Sequence, residues 1–308
     1  MVASIKRADV ATLIQEEYAP QVIKLATQAS SVLSAFPTIN MGTKVTHQPI
    51  LASLPEADWV GDVTNLDVKT TSFQKWDNKT LVAEEIAVII PIHENTLADA
   101  TENLLEDISA NAGQAFGKTL DRAVMFGAGK PASWTSPDLM SAAVASGAVK
   151  NVTGGHANAD DIYGAGLQVA GMLADLGFDP TVALAKRGLC YQFANLRDAN
   201  GNLALEGENI RGFDTTWNRN GAWDAAEAIQ LLVDPTLVRV GIRQDIQVKF
   251  LTEATLGSGS SQINLAERDM VALRFKARFG YVLGNPVTPE SGERHYGVGA
   301  VLPEITEP

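Results

Sequence analysis

"LDRAVMFGAGKP" occupies residues 120–131, and its reading decides the fold. Two glycines and a lysine after an apolar run could cradle a phosphate or close a helix. A phosphate loop needs a glycine five residues before its Gly-Lys pair and a Ser or Thr after it to hold magnesium. Val124 stands at the first place and Pro131 at the second. Such a loop also follows a strand and opens a helix, so that the anion meets the positive helix end. Here the preceding chain is itself helical in pattern. Leu97, Thr101, Leu104, Leu105, Ile108, Ala112, Ala115, Phe116, Leu120, Ala123 and Val124 recur at three- and four-residue spacing. Gly127 and Gly129 then fall where a C-terminal cap belongs, with Pro131 as a stop signal. The helix dipole at that end repels phosphate. A helix over about 99–126 spans ~42 Å, a length that suits a structural spine. Gly113 and Gly117 weaken it locally and mark close approach of another backbone.

Upstream, residues 44–92 read as short extended segments (KVTHQPIL, KTTSFQKW, TLVAEEIAVIIPI) around the polar stretch ADWVGDVTNLD. Their middle offers too few apolar residues for a core, so the pattern predicts a long hairpin. A two-stranded projection is marginal alone, and this one is expected to lie against another chain. Its alternative is a hairpin folded back on its own domain. Residues 9–29 carry a helical stripe from Val10 to Ala29, interrupted by Pro20, which packs internally or docks on a neighbour. Downstream, 131–159 is rich in Ser, Ala, Gly and Asn and reads as loop. Asp160-Asp161 can cap a helix ending at Gly177, DPTVALAK suggests a strand, GLCYQFANLRD a helix, and Asn200-Gly201 a tight turn. Val271, Leu273, Phe275, Ala277, Phe279, Tyr281 and Leu283 alternate without a break, the cleanest strand in the chain, with GSGSS at 257–261 as a turn before it. The order of elements implies an α+β fold.

The net charge of −12 over 308 residues argues against a nucleic-acid-binding surface across most of the molecule, though not against enclosing nucleic acid. A single cysteine, Cys190, excludes an internal disulfide framework and suits a reducing compartment. No apolar run reaches membrane-spanning length, and the charged start MVASIKRADV lacks a signal-peptide core. A soluble protein made in a cytoplasm is expected.

Catalytic and metal patterns fail one by one. DANGNLALEGEN, from Asp198, would need Gly and Glu where Leu203 and Asn209 stand to bind calcium. His47, His93, His156 and His295 lie too far apart in sequence for a metal motif. Cys190, between Leu189 and Tyr191, reads as a buried structural thiol. No GxSxG or GxGxxG occurs. Glu84 and Glu85 are neighbours on a strand and point to opposite faces, so they cannot share an acid–base site. The one charge stripe, Arg274, Lys276 and Arg278, is a weak nucleic-acid footprint and suits an acidic neighbouring strand. The expectation is no enzyme, no cofactor and no metal.

Taken in order, several stretches resemble the major capsid proteins of tailed bacteriophages, the Hong Kong 97-type fold shared with encapsulins. LPEADWVGDV (54–63) and SFQKWDNKTLVAEEIAVIIPIHENTLADA (72–100) look like the extended loop and the strand entering the spine helix. LLEDISANAGQAFGKTLDRAVMFGAGKP (104–131) looks like that helix and its exit. VKFLTEATLGSGSSQINLAERDMVALRFKARFGYVLGNP (248–286) looks like the late strands. Residues 131–245 carry the least of it. Many relatives have Glu-Gly after the loop tryptophan, where this chain has Gly61-Asp62. Lys69, Lys75 and Lys79 lie in the loop and Asn285 lies late, but no covalent crosslink is carried over.

The resemblance implies an N-terminal arm at 1–43 and an extended β-hairpin loop at 44–92. It further implies a peripheral domain at 93–150 and 266–308 containing the spine helix, and an axial domain at 151–265. It implies hexamers and pentamers of an icosahedral shell around double-stranded DNA, assembled in the host cytoplasm and located in the virion. Trp59, Phe73, Trp76, Arg274, Lys276 and Arg278 are the expected intersubunit contacts, the aromatics because such residues dominate interfaces. Expected partners are other copies of the chain, a separate scaffolding protein, a portal and a cementing protein. The alternatives are an encapsulin-type compartment enclosing protein cargo, for which 9–29 would be a cargo-binding segment, and a soluble enzyme whose pocket has no recognised motif.

Overall fold

The computed structural model describes residues 30–55, 72–99, 104–152, 159–194, 205–206, 208–210, 212–257 and 262–303; of 97–99, 159–161, 205–206 and 244–246 it describes the backbone alone. The described chain opens with a helix, Ser31–Ala35, and β1 (Thr38–Met41). A hairpin of β2 (Val45–Ser53) and β3 (Lys75–Val82) follows, and after Ala83 the chain continues as β4 (Glu84–His93). Helix Glu94–Asp99 precedes the long helix Leu104–Phe126. Helix Leu139–Ala145, β5 (Val149–Asn151), helix Ala159–Asp175, β6 (Val182–Lys186) and helix Arg187–Phe193 come next. Short strands follow: β7 (Leu205–Glu206), β8 (Asn209–Ile210), β9 (Asp214–Asn218) and β10 (Gln230–Val233). Then come the long β11 (Val238–Leu251), the two-residue β12 (Thr255–Leu256) and β13 (Ile263–Asn264), β14 (Met270–Leu283) and β15 (Val298–Leu302).

Two sheets organise these elements, in the orders β1-β11-β14-β4 and β5-β15-β10-β6-β9. The period-2 pattern read in β14 sends Leu273, Phe275, Ala277, Phe279 and Tyr281 to one face. There they join Ile86, Val88 and Ile90 of β4 and the helical stripe Ala112, Phe116, Leu120, Ala123 and Val124 in one core. The long helix therefore lies across the first sheet. A second core forms where Ile162, Val169 and Leu173 cover Ala183, Ala185, Leu232 and Val301 of the other sheet.

At the helix end, Gly127 and Gly129 have φ of 68° and 74°, the left-handed region that glycine tolerates. The Ala128 N–H donates to the Arg122 carbonyl at 3.2 Å. Lys130 Nζ donates to the Ser136 carbonyl at 2.8 Å, so the lysine of the opening stretch staples its own loop. A Cβ on Gly127 would lie 2.8 Å from Asp138 Oδ1, so this carboxylate also requires glycine there.

The structure departs from the sequence reading in several places. Residues 131–159 are not all loop: Asp138 caps helix Leu139–Ala145 by accepting from the Ser141 N–H, and Leu139, Ala142 and Ala143 bury its inner face. Small residues that looked like loop composition are small because they are packed. Asp160 and Asp161 lie within helix Ala159–Asp175 rather than before it. The extended segments at 44–92 divide at Ala83, with β2 and β3 forming the hairpin and β4 belonging to the first sheet. Sheet membership also cuts across the expected bounds of the axial and peripheral domains. β11, within 151–265, pairs with β14, whereas β15, within 266–308, pairs with β10 and β5. From the expected arm, β1 joins the first sheet beside β11. The stripe at 9–29 and the Asn200-Gly201 turn lie outside the described residues.

One buried carboxylate ties three parts together. Asp121, on the long helix and fully buried, accepts from Ser30 Oγ at 2.5 Å, the Ser31 and Val32 N–H groups at 2.9 and 3.1 Å, and Asn218 and Asn220 Nδ2 at 3.2 and 2.8 Å. Burial pushes its carboxyl up, against the downward pull of these donors.

Candidate subunit interface

Most of the described part of the hairpin lies outside the two large cores. Its base is seated by two glycines that face each other across the β11–β14 ladder, Gly241 and Gly280. A Cβ on Gly241 would fall on Met41 Sδ, and one on Gly280 would lie 3.0 Å from Leu81 Cδ1 and 3.1 Å from the Val82 carbonyl. Met41, Leu81, Ala83 and Val282 close this notch as a small buried cluster. The Ala83 N–H donates to the Lys44 carbonyl, and Trp134 Nε1 to the Val82 carbonyl, at 2.8 and 2.9 Å. Further out, the Val287 N–H donates to the Leu51 carbonyl, and Arg294 pairs with Asp77 at 2.9 Å. The Arg294 hydrogen bond holds the Asp77 carboxyl below its ordinary range.

Beyond those ties the hairpin is open. Phe73, just before β3, is 76% exposed, and Trp76 on β3 is 63% exposed, with no core of the hairpin's own beneath them. Large aromatics left in water on a projecting element make it a candidate contact surface. Trp59 lies outside the described residues.

The basic row lies on the sheet face turned away from the long helix. Lys276 Nζ is 2.6 Å from Glu85 Oε2, and Arg278 Nη2 is 3.7 Å from the same oxygen. The acidic neighbouring strand suggested by the spacing is therefore β4 of the same chain, and Glu84 turns to the opposite side toward Lys44. Arg274 shares the row. The sequence reading missed Arg243 and Lys249, which cross-strand pairing places on this same face opposite Arg278 and Arg274. The register shift between Arg243 and Gln247 breaks their alternation, so no sequence period could reveal them.

Cys190 is buried on helix Arg187–Phe193. Among the described residues no group of three or more His, Cys, Asp and Glu could hold a metal, and no helix is long and apolar enough to cross a membrane. A polar cleft of about 540 Å³ lies beside Ser30, Ser34, Gln114, Trp217 and Arg219.

A model of the phage capsid family matches residues 11–287. The chain belongs to that family. No curated protein matches it. Among solved structures, a chain from Mycobacterium phage Adephagia is 52% identical, with a TM-score of 0.81 over 99% of this chain and 100% of that one. One from Microbacterium phage Oxtober96 is 38% identical, with a TM-score of 0.75 over 98% of this chain and 100% of that one. The capsid of an empty GTA particle computed with C5 symmetry is 11% identical at a TM-score of 0.58, covering 89% of each chain, a likeness of fold alone. This is a major capsid protein of a bacteriophage, a structural component of the virion that assembles with its own copies into a shell. The matches do not favour the encapsulin alternative.

Proposed function

We propose that this capsid protein closes an icosahedral shell as hexamers and pentamers around double-stranded DNA, with the projecting hairpin as the principal contact between copies. The observation that carries the reading is the exposed aromatic pair Phe73 and Trp76 on an element seated at its base but bare along its outer length. Trp59 joins them as a third anchor, and the row Arg274, Lys276 and Arg278 supplies the charged part of the contact. The sheet built on β10 and β15, with helices Ala159–Asp175 and Arg187–Phe193, meets its copies around the capsomer axis. The first sheet and the long helix make the contacts between capsomers. A net charge of −12 leaves packaged DNA ungripped and ready to leave.

The role is structural and not catalytic. Assembly takes place in the host cytoplasm with a separate scaffolding protein, a portal and a cementing protein. Co-expression with the neighbouring phage genes, followed by sedimentation and electron microscopy, tests the reading. Closed particles with five- and six-fold capsomers are the expected product. A lone 32.8 kDa species under every assembly condition would refute it.

A further inference from the structure

The long helix and the first sheet do not close completely on one another. Between them, beside Gly129 at the helix exit, lies a cavity of about 180 Å³. Its walls are Leu120 and Ala123 of the helix, Ile86 of β4, Phe279 of β14, and Trp134 of the exit loop. A void in a core shrinks as far as its neighbours can relax. Here the wall that could move is held. Trp134 Nε1 donates to the Val82 carbonyl at 2.9 Å, and its backbone N–H to the Pro131 carbonyl at 3.0 Å. Its ring leans on Tyr281, centroids 5.8 Å apart, and the Tyr281 hydroxyl donates to the Pro137 carbonyl. Lys130 fastens the same loop through the Ser136 carbonyl. Ala123, buried on the helix, contributes only a methyl to the wall.

The chemistry of the wall selects the occupant. Among the described lining residues the side-chain donors are Trp134 Nε1 and Thr119 Oγ1, and both are spent, the second on the Ala115 carbonyl at 2.9 Å. The other polar side chains of the lining, Glu84 and Glu85, are carboxylates, which repel an anion. Water needs about two to four polar partners, which the faces of Ile86, Leu120, Ala123 and Phe279 do not offer. Sites for drug-sized molecules run to about 300–1,000 Å³, so the volume excludes them. An apolar cavity of about 150 Å³ stays dry and takes up benzene or xenon. Trp134 and Phe279 add aromatic surface against which a ring can pack.

We propose that this cavity binds an uncharged, benzene-sized aromatic molecule, which bridges the long helix, the first sheet and the exit loop. Benzene, titrated into unassembled full-length subunits with labelled methyl groups, is the probe. The methyl resonances of Ile86, Leu120 and Ala123 move together and saturate. At about ten times its dissociation constant, benzene raises the melting temperature of the subunit by about 2 °C. Ala123→Leu fills the cavity, raises the melting temperature of the free subunit by about 1–3 °C, and abolishes the response to benzene. Should that variant fail to fold, the methyl titration of the parent decides alone. Methyl shifts that are absent or never saturate overturn the proposal. So does a thermal response to benzene that survives in folded Ala123→Leu, which places the ring elsewhere. A map of assembled particles with the cavity filled by a side chain of another copy overturns it too. The titration needs no particles, so its failure leaves the assembly reading standing, and failure to assemble leaves the binding result standing.

Discussion

Truncation of Asp121 to alanine tests how the amino-terminal segment is fastened to the body. The substitution removes the acceptor of five hydrogen bonds between 2.5 and 3.2 Å. Three of the donors have another partner to turn to. Ser30 and Asn220 line the 540 Å³ cleft, and Asn218 also bonds Ser31 Oγ. The Ser31 and Val32 N–H groups cannot turn, because they begin helix Ser31–Ala35. Two fixed buried donors at about 1–3 kcal/mol each, with ~0.5 kcal/mol for the lost anion at a helix start, predict a loss of about 3–5 kcal/mol. That is a large part of the stability of an ordinary domain, about 5–15 kcal/mol. Asp121→Asn keeps one acceptor oxygen and aims an amide at other donors, so about half that loss is expected.

Urea denaturation of unassembled subunits, followed by fluorescence, measures both variants. The carboxyl is raised by burial from its ordinary 3.8. Its folded form therefore favours the proton, and its contribution is fullest below 3.8 and declines as pH rises toward the shifted value. The advantage of Asp121 over asparagine narrows over that rise. A cost under about 1 kcal/mol for Asp121→Ala, or an advantage that widens with pH, would refute the reasoning.

Phe73→Ala with Trp76→Ala removes exposed rings only, so the melting temperature of the subunit stays within a degree or two, whereas particle yield in electron micrographs falls about tenfold or more. Gly280→Ala presses a methyl onto Leu81 and the Val82 carbonyl and costs about 1–3 kcal/mol by denaturation. Hydrogen exchange would show the loss concentrated in the hairpin base, and an even loss across both sheets would contradict the notch. Asp77 sits below its ordinary 3.8, so its tie to Arg294 is complete above that value and lost as pH falls through the depressed one. Exchange protection at Leu51 and Asn78 drops over that acid range in the parent and is flat in Arg294→Ala.

Elements that announce themselves through local periodicity were legible. The long helix followed from its apolar stripe and its glycine cap, and β14 from strict alternation with cations on the reverse. What escaped depended on partners far away in sequence. Nothing local divides KTLVAEEIAV at Ala83, because the strand pattern runs through it. The break exists because Leu81 drops into the Gly241–Gly280 notch while Ile86 turns to the long helix. Asp121 looked like one more polar residue on a helix, and only folding brings Ser30 and Asn218 to it. Lys249 and Arg243 joined the basic row through register with β14, which a bulge hides from any reading of period. Phe73 and Trp76 were legible as exposed aromatics because the surrounding sequence offers them no core.

The place of β15 bears on when a subunit becomes competent. The strand lies inside the second sheet, between β5 and β10, which are more than seventy residues apart in sequence. During synthesis the first sheet has all its strands once Leu283 has emerged, but β5 and β10 keep open edges until residues 298–302 arrive. Unpaired edges invite foreign strands. Ribosome-bound chains therefore carry a finished hairpin on an unfinished body, and chains cut short before Val298 are the ones expected to aggregate. Completion of the second sheet in this way waits on translation through the late strand β15.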